Sequence, residues 1–542
     1  MRKFNLSSSG FLWTQDQLDF VDLSKNNIVG NIPFWLLENT RGELLLLDGN
    51  LFSGVQVLPN ISFNLQSSDI SNNQITGNLP KIFSSYFANL QSLKMSQNSL
   101  NGDLMSYIND FKGLRVLDLS SNNISGNLPS IFPCHLTILD LSNNKITGES
   151  PSNLTRGNAL MFLSLSNNSL KGPLQSKHFK LPNLVSFHLD NNAFNGTIPR
   201  NLLRCSSSLT VLNLANNKLY APMPIELFWL LELKVLILRS NFFDHIPLKL
   251  CQVKSLAVLD IFRNNLERPI PPSFNHFSAW TNTSSTSFTE TTLKVPYLLA
   301  SIIFSNFTLS VMHGSEFHRG TGSQEKVDFT KGNMYIYRGD PLKYMTGLDL
   351  SENKLSGPIP IDMGLLKNLP CPITKSFGGL LGLTTLDLSH NALSGEIPPQ
   401  LTRLTHLSLF SVANNNLFGE IPDTTQFCTF NENSFSGNPR LNTQGKRCST
   451  TLSPNVPGAS SDNDGEDEDE GEGVGGNDTC ILCFHCLGLC HWHMGRALAF
   501  LFLGKKRGHA CVRAMDAKVS RLFHAFCHRH YSHSTSSPVH RQ

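Results

Sequence analysis

One phrase recurs fourteen times along this chain, and it restricts the possible folds more than any other feature. Its general form is L-x-L-x-x-N-x-L-x-G-x-I-P. Two full copies are Leu117-Asp118-Leu119-Ser120-Ser121-Asn122 leading to Gly126 and Pro129, and Leu386-Asp387-Leu388-Ser389-His390-Asn391 leading to Gly395 and Pro398. The asparagine falls at 26, 50, 73, 98, 122, 144, 168, 192, 217, 241 and 264, then at 353, 391 and 415. The first eleven are 22 to 25 residues apart. A fixed period of that length is the signature of stacked units and not of one closed core. A chain of 542 residues would make an unusually large single core, whereas a stack grows by addition.

Each unit opens with a short alternation of apolar and polar residues, which predicts a strand of about three residues. Such a strand is stable only beside copies of itself, where its backbone is paired and its leucines join a continuous core. The asparagine follows at the turn. Its amide both donates and accepts, so it is suited to bond the turn backbone of its own unit and of the next. The glycines at 30, 77, 126, 148, 196, 357, 395 and 419 give the backbone a tight path, and the proline that follows fixes φ at the outer turn.

Over about Leu18 to Pro422 these units resemble the plant-type leucine-rich repeat, whose added Gly-x-Ile-Pro segment lies on the outer side. The resemblance implies an α/β-type repeat solenoid, a superhelix whose inner face is a parallel β-sheet. The period fails between Pro271 and Met345. A long repeat block, such an island, a few more repeats and then an acidic stretch resemble the kinase-less receptor-like proteins of plants. Lys331-Gly332-Asn333-Met334-Tyr335-Ile336-Tyr337-Arg338-Gly339, followed by Met345-Thr346-Gly347-Leu348-Asp349-Leu350-Ser351, is similar to the end of that family's island. Lys331, Tyr335, Tyr337 and Arg338 are thereby the candidate residues for contact with a co-receptor.

The expected organisation is an N-terminal edge over 1–17, eleven repeats over 18–271, an island over 272–345 and three repeats over 346–425. Asn353 and Asn391 are 38 residues apart, which predicts one shortened unit between them and a bulge or tilt there. A C-terminal cap remnant follows over 426–450, then an acidic spacer over 451–478. The family's cap cysteine after Pro439 is replaced, which leaves Cys428 and Cys448 as the possible disulfide. Met1-Arg2-Lys3 is followed by a polar stretch where a signal peptide needs an apolar run, and the first repeat begins by Leu18. Both features are expected of a chain lacking the N-terminal part of a longer protein.

Eight acids in eleven residues, Asp462 to Glu472, predict an extended, solvated spacer. The next 25 residues, Thr479 to Leu503, are mostly apolar and long enough to span a bilayer, with Lys505-Lys506-Arg507 beyond them. That charge asymmetry places the repeats outside and the tail, 504–542, in the cytosol. Ten Leu, Ile and Phe residues favour insertion by about 3–6 kcal/mol, whereas Arg496 near the centre opposes it by about 2.5–3.5. Cys480, Cys483, Cys486 and Cys490 have ferredoxin-like spacing, but the proline after the fourth cysteine and a second cysteine group are missing. No cofactor or metal is expected.

Nine sequons, at Asn5, Asn60, Asn123, Asn153, Asn167, Asn195, Asn282, Asn306 and Asn477, fit a secreted glycoprotein. A net charge of +3 with no basic stripe excludes nucleic acid as a partner. The tail of 39 residues is too short for a kinase and has no glycine-rich loop, His-Arg-Asp or Asp-Phe-Gly. Pairs such as Asp118 with Ser120 and Asp140 with Ser142 belong to the repeat and are not acid–base pairs, so no enzyme is expected.

The residues flanking the second leucine of each strand face the inner surface. Most are Asp and Ser. The departures are His188 and Asp190, Ile237 and Arg239, and Phe262 with Arg263 beside it, all in the four repeats before the island. They are the candidate ligand-binding residues. Taken with the resemblance, they predict a single-pass receptor-like protein of the plasma membrane that binds an extracellular peptide, glycan or microbial protein. It would signal, in defence more than in development, through membrane-bound adaptor and co-receptor kinases. Two rival readings are a soluble cell-wall inhibitor of the polygalacturonase-inhibiting type, which would lack the island and the acidic spacer, and a truncated product without function.

Overall fold

The computed structural model describes residues 4–5, 18, 20–40, 44–56, 63–78, 86–103, 111, 113–129, 132–149, 159–174, 181–272, 274, 326–330, 334–338, 346–364, 383–422 and 425–442. Fourteen three-residue strands, from Phe20–Asp22 to Leu409–Ser411, form one continuous sheet in sequence order, one strand for each of the fourteen motif copies. Every neighbouring pair in it is parallel, and equivalent motif positions face each other: Val116, Leu117 and Asp118 lie opposite Ile138, Leu139 and Asp140. The chain is therefore a β-solenoid with little helix. The rest is a few short turns such as the α-helices Phe34–Asn39 and Arg200–Cys205 and the 3-10 turns Ile225–Trp229 and Leu248–Gln252. The middle residue of every strand except Ser67–Asp69, where it is Ser68, and the apolar residue after each strand enter one core that runs from Leu18 to Leu441.

The repeated asparagines join the coils along their length. Asn241 Nδ2 donates to Leu238 O in its own coil at 3.1 Å and to Leu214 O in the preceding coil at 2.9 Å, while Oδ1 accepts from Leu219 N at 3.0 Å. The same three bonds recur at Asn122, Asn144, Asn217 and Asn415. Asn438 repeats them beyond the fourteenth copy, donating to Val412 O and Phe435 O and accepting from Leu417 N. The residue before each asparagine has a left-handed backbone, with φ near +50° at Lys25, Ser121, Asn167, Arg263 and His390 among others. Gly occupies that corner only at Gly49 and Gly437. The corner is strained for ordinary side chains. The asparagine bonds on the next residue help to hold it.

A second set of strands forms where the glycines stand. It is divided into a sheet of three strands, one of seven ending at Lys218–Leu219, and one of four beginning at Ser356–Pro358. Gly126 shows why glycine matters: its φ is +94°, and a Cβ there would meet the Asp103 carboxyl carbon at 2.8 Å. The break between the seven- and four-stranded sheets falls where the motif loses its glycine. Ala221 replaces it with φ +75°, the coil of Asn241 reaches Pro247 in six residues where others take seven, and Arg268 occupies the position in the coil of Asn264. One isolated bridge, Tyr220 to Phe242, remains there.

The long sheet crosses both irregular stretches. Val258–Asp260 pairs directly with Gly347–Asp349, so the island leaves and returns between adjacent strands. Gly347–Asp349 pairs directly with Thr385–Asp387. The 38-residue interval thus causes no skip in this sheet. Residues 365–382, which fall in this interval, lie outside the described residues. At the C-terminal end Phe410 packs against Phe427, Phe430 and Phe435 with ring centroids 5.1, 5.5 and 5.8 Å away. Leu441 closes the core, and Arg440–Asn442 pairs with Asn416–Glu420.

Replacing Asn241 by Ala strands Leu219 N in the interior and takes one of two amide donors from Leu214 O and Leu238 O, which keep those of Asn217 and Asn264. The expected loss is roughly 1–3 kcal/mol for the group left without a partner. Hydrogen exchange at the Leu219 amide will accelerate in this variant. Asn26→Ala, where the side chain reaches Leu23 O and Ser24 O of its own coil, will have a much smaller effect.

Candidate ligand-binding face

The face of the long sheet turned away from the core carries three columns of side chains. The first runs in register through Val116, Ile138, Phe162, Ser186, Val211, Val235 and Val258. It forms two buried apolar clusters. One joins Val116, Ile138 and Phe162; the other joins Val211, Val235 and Val258 with Ile237 and Ala215 from the other columns. Ser186 interrupts the column between them. A β-branched residue just before the motif's first leucine was the available sequence signal, but in isolation it reads as an ordinary strand residue.

The second and third columns carry the charges. In six of the fourteen coils an aspartate closes a turn onto the serine two residues later. Asp118 Oδ1 accepts from Ser120 N at 3.0 Å and Ser120 Oγ at 2.7 Å, and Asp387 does the same with Ser389. This bonding explains the repeated Asp-x-Ser as turn closure. Burial pushes the Asp140 carboxyl up to about 7; the neighbouring Asp118 charge adds to the rise, and bonds from Ser142 oppose it. Burial also raises Asp118 and Asp387.

The departures from this pattern are held within the surface. His188 is 5% exposed, its Nε2 lies 2.7 Å from Ser186 Oγ, and its ring is 5.7 Å from that of Phe162. Asp190, 7% exposed, accepts from Ser166 Oγ, from Asn213 Nδ2 at 2.9 Å and from Asn191 Nδ2 at 2.7 Å. Arg239, 5% exposed, faces the wholly buried Asp260 at 3.5 Å. Burial still lifts Asp260 to about 6 although Arg239 pulls it down. Phe262 is half-buried, and its amide donates to Asp260 Oδ1 at 3.2 Å. Arg263 is exposed in the left-handed corner, 3.6 Å from Glu352. The structure thus gathers His188 with Asp190, and Arg239 with Phe262 and Arg263, in neighbouring coils of one face.

The other candidates lie elsewhere. Met334–Arg338, which carries Tyr335, Tyr337 and Arg338, pairs antiparallel with Lys326–Thr330, Tyr337 opposite Val327. Lys331 lies outside the described residues. Cys428 is disulfide-bonded, and Cys448 lies outside the described residues. Among the described residues no cluster of His, Cys, Asp and Glu fits a metal ion, and no helix is long and apolar enough to cross a membrane; Thr479 to Leu503 lies outside them.

A Leucine Rich Repeat family model matches residues 113–134, 135–156 and 382–404. The chain is 29% identical over 382 residues to Receptor-like protein 18 of Arabidopsis thaliana, covering 68% of this chain and 34% of that protein. It is 32% identical over 365 residues to Receptor-like protein 32 of the same plant, covering 66% and 34%. It therefore spans about a third of the length of these relatives. Among solved structures it is similar to the Arabidopsis receptor kinase HAESA, in a complex with the peptide hormone IDA and the co-receptor SERK1 (TM-score 0.53, 25% identity, 78% of this chain and 62% of that one). A TDR receptor matches with TM-score 0.53 and 25% identity over 77% and 63%. The chain is a leucine-rich-repeat solenoid of the receptor-ectodomain type. Its relatives include receptor-like proteins of Arabidopsis thaliana.

The raised aspartate predicts a pH effect of definite sign. An unfolded Asp140 loses its proton near its ordinary 3.8, the folded one near 7, so the native state binds more protons between these values. Stability falls as pH rises through that window and levels off above it. Asp140→Ser, the residue that Ser164 supplies in the next coil, removes this contribution without creating a sequon. Urea midpoints at pH 4, 5.5 and 7.5 will show a shallower decline in the variant, the difference at pH 7.5 being on the order of 1–4 kcal/mol.

Proposed function

We propose that this chain is the recognition part of a cell-surface receptor-like protein that binds an extracellular peptide on the open face of its long sheet. The observation carrying this reading is the change of side chains in the coils of residues 186–263. The Asp and Ser background gives way there to His188, Asp190, Arg239, Phe262 and Arg263 beside an apolar column, next to the point where the island leaves. An apolar strip with convergent polar groups is suited to an extended peptide, whose side chains take the strip and whose backbone takes the polar groups. The HAESA likeness supports a peptide over a glycan or a microbial protein, since that receptor's structure holds a peptide hormone.

The remaining elements of the reading come from the relatives. The protein is placed at the plasma membrane, anchored by Thr479 to Leu503, with the repeats outside. In this reading it signals through membrane-bound adaptor and co-receptor kinases, which the strand carrying Tyr335, Tyr337 and Arg338 helps to engage. SERK1 in the HAESA complex supports a co-receptor of that kind. Defence is the proposed setting.

The test is binding of the secreted chain to a library of secreted plant peptides, followed by His188→Ala, Phe262→Ala and Arg263→Ala. At least one substitution is expected to weaken the selected peptide tenfold or more, about 1.4 kcal/mol. Unchanged affinity in all three would remove this face from the mechanism. Arg239→Ala belongs outside the scan: it leaves buried Asp260 without its cation and is expected to destabilise the coil by about 3–5 kcal/mol.

A further inference from the structure

Three of the nine sequons have described side chains, and the fold separates them. Asn123 begins the outer strand Asn123–Asn127, and Asn195 lies in the outer strand Ala193–Gly196. Both are exposed, while the adjoining Ile124 and Phe194 are in the core. Alternation along a strand therefore sends both asparagines to solvent. Asn167 sits instead in the left-handed corner at φ 53°, half-buried, on the edge of the candidate binding face. Its backbone N–H donates to Asp190 O at 2.9 Å, and its backbone carbonyl accepts from Asn144 N at 3.2 Å, which fixes the corner from which the side chain projects.

We infer that Asn123 and Asn195 are N-glycosylated and that Asn167 is not. The inference rests on the proposed cell-surface reading, because the sugar is added only in the secretory pathway. In the transfer the side-chain amide nitrogen bonds to the anomeric carbon of an oligosaccharide donated from a lipid diphosphate. The sugar–oxygen bond to that diphosphate breaks, and the amide gives up one proton. Addition acts on the nascent chain, so selection falls on whole molecules afterwards: a chain carrying the bulky polar group where it cannot reach water does not complete its fold and is not secreted. The same motif positions change character in later coils. Tyr220 stands three residues after Asn217, as Asn195 does after Asn192, and is 54% exposed. Phe242 follows Asn241 as Asn123 follows Asn122, and is 51% exposed. The outer face is thus sugar-bearing over the earlier coils and aromatic over the later ones.

The test expresses the full chain behind a cleavable heterologous signal peptide in a eukaryotic host. Glycopeptide mass spectrometry of the secreted protein is expected to find glycan on Asn123 and Asn195 and none on Asn167. Bare Asn123 or Asn195, or glycan on Asn167, in material whose other sequons are occupied would overturn the inference. If the chain is retained, translation with microsomes of variants keeping a single sequon replaces secretion. A mobility step reversed by glycosidase is expected for Asn123 alone and for Asn195 alone, and its absence overturns the inference. None of these results depends on finding a ligand, so failure of the binding proposal leaves them readable.

Discussion

Each coil of this protein is completed by an amide belonging to the next. The asparagine side chain has two hydrogens and one oxygen, and all three are used between its own turn and the turn before it. No other short side chain combines those donors and that acceptor at that reach. The interior therefore has little choice of register: sliding one coil by a residue would leave a buried carbonyl and a buried amide without partners on both sides. The leucines supply most of the driving force, but their burial is tolerant of small displacements. The asparagines make the stack specific.

Much of this was legible in the sequence. Fourteen asparagines in phase correspond to fourteen strands in one sheet, and the alternation around Leu117 or Leu386 gave the buried and open faces correctly. Three features were harder to read. Asn438 continues the ladder, but it follows Phe435-Ser436-Gly437 and precedes a proline, so it lacked the apolar frame that marks the other copies. The left-handed corner is glycine only at Gly49 and Gly437; elsewhere it is asparagine, lysine, glutamine, serine, arginine, glutamate or histidine, so glycine did not mark it along the chain. The 38-residue step between Asn353 and Asn391 suggested a bulge or tilt because spacing measures chain length; it did not reveal that Gly347–Asp349 pairs directly with Thr385–Asp387.

The candidate site was visible as a departure from consensus, and its state was not. Sequence pattern tells which face a side chain takes. It does not tell how tightly neighbours in adjoining coils close around it. Asp190 is secured by a serine from the coil before and an asparagine from the coil after, and Arg239 is committed to an aspartate 21 residues away. These are contacts between repeats. A ligand on this face therefore meets a preset array of polar groups, with little side-chain ordering left to oppose binding.

The gap in the outer strands has a mechanical consequence. Over most of the stack, two ladders of backbone bonds clamp each coil at opposite sides, like paired rails. Between Leu219 and Ser356 the outer rail is reduced to one isolated bridge, Tyr220 to Phe242, and single backbone bonds such as Asn265 N to Phe243 O and Lys354 N to Leu266 O. Bending stiffness there rests chiefly on the long sheet, and the island leaves and returns within this stretch. A twist applied at either end would be taken up more readily at these coils than where both rails are complete.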